Sequence, residues 1–240
     1  MATIPDYVMP VLGVVTPAAA LAAWFILNKS LLSAKTKISL NERKRFSYFL
    51  LAGLLGWLAI SFVFGWLEIF RNFSFLVLIF GYGIPYLANK FLNSSQMLQL
   101  AVDSAPNHWL IGIQLYRVLG IIFLTMYAAG LLPAAFAIPS GVGDIIVGLS
   151  APVVAYLLFK KTSSSKKLAI FWNYIGILDL IIALTMGPIT APTPVQLLSF
   201  DAPNLPIISY PLVSVPAFAV PFSLILHLFS LRILGKKFKL

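Results

Sequence analysis

Long apolar runs alternate with short polar ones along the whole chain. A helix rising 1.5 Å per residue needs about 20 mainly apolar residues to cross a hydrocarbon core of roughly 30 Å. Seven stretches reach that length: 7–28, 47–70, 74–92, 108–130, 140–159, 168–187 and 211–234. The connections between them are "NKSLLSAKTKISLNERKRF" (28–46), "RNFS" (71–74), "NSSQMLQLAVDSAPN" (93–107), "LLPAAFAIP" (131–139), "KKTSSSKK" (160–167) and a proline-rich stretch (188–210). Within the third connection, residues 94–104 have the pattern of a short amphipathic helix capped by serine and lying in the membrane interface. The pattern predicts an all-α, polytopic integral membrane protein of seven transmembrane helices, one membrane domain over 1–240.

Composition agrees with the pattern. The chain is 60% hydrophobic and only 10% charged, where soluble proteins carry about a quarter of charged residues. There is no cysteine, which excludes disulfides, thiolate metal sites and thiol nucleophiles. With two histidines, His108 and His227, neither a metal site nor a cofactor is expected. The net charge of +10 does not point to nucleic acid, because the basic residues stand between apolar runs rather than on a soluble face.

Their distribution predicts orientation instead. Of the 17 Lys and Arg residues, all but Arg71 and Arg117 fall in the connections after helices one, three and five or in the tail from Arg232, which also holds Lys236, Lys237 and Lys239. Positive residues near helix ends are retained in the cytoplasm, so the N-terminus is expected outside and the C-terminus inside, in the cytoplasmic membrane. The first segment offers small residues in "TPAAALAA", yet "MATIPD" before it carries no positive charge. A retained helix is expected rather than a signal peptide.

The chemistry rests on the polar groups that hydrocarbon should exclude. "GVGDIIVGLSA" (141–151) aligns with "GILDLIIALTM" (176–186), pairing Gly141 with Gly176 and Asp144 with Asp179. The two copies lie in adjacent antiparallel helices, the form of a small inverted repeat. Ser140, Asp144, Gly148, Ala151 and Ala155 share one helix face, and Asn173, Gly176, Asp179, Ala183 and Gly187 share another. Such stripes of small residues suit close helix contact. They predict that helices five and six pack on each other or on helix four, with both aspartates facing protein. Arg117, one turn after Gln114, sits two to three turns into helix four. A charge there costs about 2.5–3.5 kcal/mol even on the lenient insertion scale, so it requires a partner. By depth, Asp179 is the first choice, and Asp144 lies nearer the outer face without a cation at its own level. Glu68, Asp144, Asp179, Arg117 and His227 form a broken ladder across the membrane, with Glu68 as the outer and His227 as the inner relay candidate.

Pro211, Pro216 and Pro221 recur every five residues in helix seven, which predicts an interruption in its outer half. "GYGIPY" (81–86) invites the same reading of helix three. His108 beside Trp109 reads as an interfacial pair, and Trp24, Trp57, Trp66 and Trp172 as anchors or packing residues. No lysine lies within helix seven to form a retinal Schiff base.

"GVGD" (141–144) resembles the GxGD motif of the intramembrane aspartyl proteases, the presenilin, signal-peptide-peptidase and prepilin-peptidase group. That resemblance implies a catalytic role for Asp144, with Asp179 as second carboxylate, one acting as base and the other as acid. The chain departs from the pattern. The partner aspartate precedes GxGD in those families, whereas Asp179 follows it, and of the PAL element only the Pro-Ala of "VPAF" (215–218) is present.

The leading expectation is therefore a non-enzymatic protein handling a small solute or protons through Arg117, Asp144, Asp179, Glu68, His227 and Gln114. A structural or assembly subunit of a membrane complex is the alternative, and a GxGD-type aspartyl hydrolase the third reading. The expected partners are the lipid bilayer and, within it, a small solute or other membrane subunits; nucleic acid is not among them.

Overall fold

The computed structural model describes residues 4–236. Among these the chain is helical throughout its ordered elements, and seven helices are long and apolar enough to cross a membrane. In chain order these are α1 (Val8–Ser33), α2 (Leu40–Trp66), α3 (Phe75–Ser94), α5 (Asn107–Ala128), α6 (Ala134–Phe159), α7 (Ser165–Thr190) and α8 (Val215–Gly235), with the short α4 (Gln96–Asp103) between α3 and α5. Lysines and arginines gather at one end of the bundle, here called the basic end. Lys237 and Lys239 of the basic tail lie outside the described residues.

Where helix ends differ from the apolar pattern, capping chemistry explains the difference. α2 begins at Leu40 rather than 47, because Ser39 and Glu42 close a reciprocal capping box on its first turn. The polar turn of "NERKRF" is thereby helical, and Arg43 reaches back to the carbonyls of Leu31, Leu32 and Ala34 at the end of α1. α4 is capped by Ser95, and Asp103 ties it to α8 through Arg232 at 2.9 Å. α6 begins at Ala134, directly after Pro133, and the residues from 191 to 214 fold over the end of the bundle opposite the lysines.

α8 is the axis. Its apolar window is 78% buried, against 17% for α2, and it touches α2, α3, α5 and α7. The small-residue stripe of α6 packs on α5, where Gly148 lies so close to Val118 that an added Cβ would stand 2.7 Å from its backbone nitrogen. α6 and α7 also pack on each other, with Asp179 of the α7 stripe against Gly143, while Gly176 and Asn173 of the same stripe meet α8.

Three of the seven long helices leave α geometry along their length. α3 opens into a π turn at Ile79–Gly83, α5 tightens to 3-10 at Gln114–Gly120, and α8 starts with a π turn at Val215–Ala219. The two π turns pack on each other. Pro221 has no N–H to give Ala217, and that carbonyl accepts from Trp57 Nε1 at 2.9 Å and Ser61 Oγ at 3.3 Å instead. Of the three prolines, Pro216 lies in the π turn and Pro221 in the first α turn, while Pro211 precedes the helix.

Candidate functional site: a guanidinium shared by two carboxylates

Arg117 lies in the 3-10 part of α5 and is 3% exposed. Its Nε donates to Asp144 Oδ1 at 2.7 Å, its Nη2 to Asp179 Oδ2, and its Nη1 to His227 Nε2 at 3.1 Å. One side chain thus ties α5 to α6, α7 and α8. The partners are equally enclosed: Asp144 and Asp179 are each 8% exposed, and His227 is fully buried.

The Arg117–Asp179 pair is the one depth predicts. The bond to Asp144 is not, and it corrects the expectation that Asp144 lacks a cation at its own level. A 3-10 helix rises about 2.0 Å per residue against 1.5 Å in an α-helix. The four residues from Gln114 to Arg117 therefore carry the guanidinium roughly 2 Å farther from the basic end than α geometry would.

Hydrogen-bond logic fixes the rest of the cluster. A guanidinium has donors and no acceptor, so His227 Nε2 accepts and the ring carries its proton on Nδ1, which donates to Asn173 Oδ1 at 2.9 Å. The Asn173 amide then donates to Ala169 O at 2.7 Å and Ser230 Oγ at 3.0 Å. Ser230 O accepts from Asn107 Nδ2 at 3.4 Å, near the basic end. Trp172 packs its ring 5.1 Å from that of His227. On the other side, Gln114 and Ser223 exchange two bonds of 3.1 and 2.9 Å, and Tyr116 reaches Ser223 Oγ at 2.6 Å.

Two close approaches make room for this. An added Cβ on Gly143 would collide with the Asp179 carboxylate, and one on Gly176 with the His227 ring. The glycine of GxGD beside Asp144 thus serves its neighbour across the helix interface. A cavity of about 30 Å³, room for one or two water molecules, touches Arg117, Asp144, Tyr116 and Ser223 and extends toward Thr16 and Leu212, away from the basic end.

Glu68 is not brought to the cluster. α2 ends at Trp66, and Glu68 stands beyond it at a left-handed φ of 57°, which turns the side chain outward to Arg71 at 3.3 Å with 61% of it exposed. Asn173, Ser223 and Ser230 were missed as polar partners. A usable signal lay in "SLILHLFS", where Ser223 and Ser230 flank His227 by four and three residues, within reach of one helix face. Among the described residues no group of three or more His, Asp or Glu could hold a metal ion.

Residues 73–235 match the model of a family described as a domain of unknown function (DUF8737). The chain belongs to this family. No curated protein and no solved structure matches it. The matched stretch contains Arg117, Asp144, Asp179, Asn173 and His227, so the family region carries the entire cluster. Glu68 and the helices α1 and α2 lie before it.

Proposed function

We propose that this membrane protein handles protons or a small cationic solute, with the Arg117–Asp144–Asp179 cluster as its binding element. One observation carries the reading: two carboxylates divide a single guanidinium edge. Nε and Nη2 form the edge that elsewhere grips both oxygens of one carboxylate. With both aspartates ionised, the cluster has one cation for two anions. A single proton or monovalent cation brings it to neutrality, and the small cavity beside Asp144 gives such a ligand somewhere to stand. Intramembrane ionisable groups mark solute and proton paths more often than other positions do.

The positive-inside pattern supports an orientation with the N-terminus outside and the C-terminus in the cytoplasm, in the cytoplasmic membrane. The basic end is then cytoplasmic.

A lock with no transport role is the second reading, favoured by the bond that each of the three guanidinium nitrogens makes to a buried partner. The hydrolase reading gains no support, because both carboxylates of the motif are engaged by a guanidinium. Reconstitution separates the first two. In proteoliposomes carrying a pH-sensitive dye, Asp144→Asn and Asp179→Asn are expected to abolish an imposed-gradient proton flux while leaving the folded yield intact. Wild-type flux in both variants would sink the transport reading in favour of the lock.

A further inference from the structure

Beside the small cavity at Arg117, hydroxyl protons are fewer than the contacts they would have to fill. Tyr116 Oη lies 2.7 Å from the carbonyl oxygen of Ala219 and 2.6 Å from Ser223 Oγ, and Ser223 Oγ lies 2.9 Å from Gln114 Oε1. The Gln114 amide nitrogen donates at 3.1 Å to the carbonyl of Ser223, which only accepts, so its Oε1 faces the serine hydroxyl. Four oxygens thus stand in a row, joined by three contacts of full hydrogen-bond length. The two outer oxygens carry no proton, and the two hydroxyls between them carry one each. Two protons cannot fill three contacts.

Whichever contact goes without is a pair of oxygens turning lone pairs on each other in a poorly screened interior. Protonating Asp144 or Asp179 leaves that count unchanged, because neither carboxylate belongs to the row. A metal cation changes it: lone pairs that repel become ligands, and hard cations take oxygen ligands. The surroundings suit one. Tyr116, Ala219 and Ser223 all line the cavity of about 30 Å³, and Asp144 and Thr16 line it with them. Asp144 is 8% exposed and gives Oδ1 to Arg117, and among the described residues no donor reaches its Oδ2. Ala219 closes the π turn of α8, and carbonyls at such helix interruptions coordinate cations in transporters. With both aspartates ionised, the Arg117 cluster is one positive charge short, so a monovalent ion balances it.

We infer that this cavity binds a dehydrated monovalent alkali cation, with Tyr116 Oη, Ser223 Oγ, the Ala219 carbonyl and Asp144 Oδ2 as its oxygen ligands. Resting on the reading of Arg117, Asp144 and Asp179 as a binding element, the site selects a metal ion where protonation of a carboxylate alone would also give neutrality.

Thermal unfolding of the full chain in zwitterionic nanodiscs tests this, in sodium, potassium or N-methylglucamine chloride at one pH and ionic strength. Sodium or potassium should raise Tm over N-methylglucamine, an organic cation too large for the cavity, and the better of the two names the ion. Tyr116→Phe keeps the ring and removes the surplus contact. It should weaken binding of that ion about tenfold, the ordinary worth of a hydrogen-bonding group facing a charge, yet be no less stable than wild type in N-methylglucamine. A residue that merely packs would lower Tm equally in all three salts. Ser223→Ala should lose the ion response in the same way and serves where Tyr116→Phe folds poorly, while Tyr174→Phe, exposed on α7, keeps it. Equal Tm of wild type in the three salts, or an undiminished response in Tyr116→Phe and Ser223→Ala, overturns the inference. Proton flux in proteoliposomes separates the failures. Flux present in wild type and lost in Asp144→Asn and Asp179→Asn leaves the proton reading standing without this site; absence of both flux and ion response removes that reading as well.

Discussion

At the residue scale, Arg117 carries the argument. Removing one member of a buried ion cluster costs most when it strands charge, about 3–5 kcal/mol. Arg117→Gln strands two carboxylates, whereas Asp179→Asn leaves one cation facing one anion. Purified variants in detergent should accordingly rank, by Tm, with Arg117→Gln far below Asp179→Asn. Equal losses would contradict a surplus of negative charge in the cluster. The Arg117–Asp179 pair was legible in the sequence because both residues are counted from the same end along helices of known rise. The Arg117–Asp144 bond was not, because a 3-10 turn at Gln114–Gly120 has no propensity signature in "QLYRVLG" and exists only against the backbone of α6. Glu68 misled for a related reason: in an apolar run it reads as the outer end of a helix, while the chain has already left α geometry at Trp66.

At the element scale, spans were readable and their interruptions only partly so. Hydrocarbon thickness sets helix length, and all seven predicted stretches became helices long and apolar enough to span it. The proline rhythm announced a break in α8, but the form of the break depends on Trp57 and Ser61 from α2 taking over the carbonyl of Ala217. No local pattern encodes that acceptor exchange. The stripes of small residues were likewise legible as contact faces, and so were the packing of α6 on α5 and of α6 on α7; the contact of the α7 stripe with α8 was not. Glycine substitutions test the packing directly. Gly176→Ala drives a methyl into the His227 ring and toward Arg117 Nη1 and should cost roughly 1–3 kcal/mol as overpacking does. Gly53→Ala meets nothing within 4 Å, so the helix should keep or gain stability, up to about 1 kcal/mol. Chemical denaturation of the two variants side by side reads the difference, and similar midpoints would refute the close fit around the cluster.

At the scale of the whole molecule, sidedness is the first quantity to measure. The absence of cysteine makes single-cysteine labelling clean. Lys37→Cys lies at the basic end and Val195→Cys at the other, both exposed. A membrane-impermeant maleimide applied to intact cells should label Val195→Cys alone, and Lys37→Cys only after lysis; the reverse pattern would invert the orientation. The hydrogen-bonded line from Arg117 through His227 and Asn173 to Ser230 has a consequence for any such crossing. An asparagine amide neither accepts nor releases protons under ordinary conditions, so this line orients dipoles without conducting. In circuit terms it is a dielectric, and on the proposed reading Asp144, which lines the small cavity, is the plate from which the cluster is charged. On the proton-handling reading proposed above, passage to the basic end therefore needs a contact other than this line.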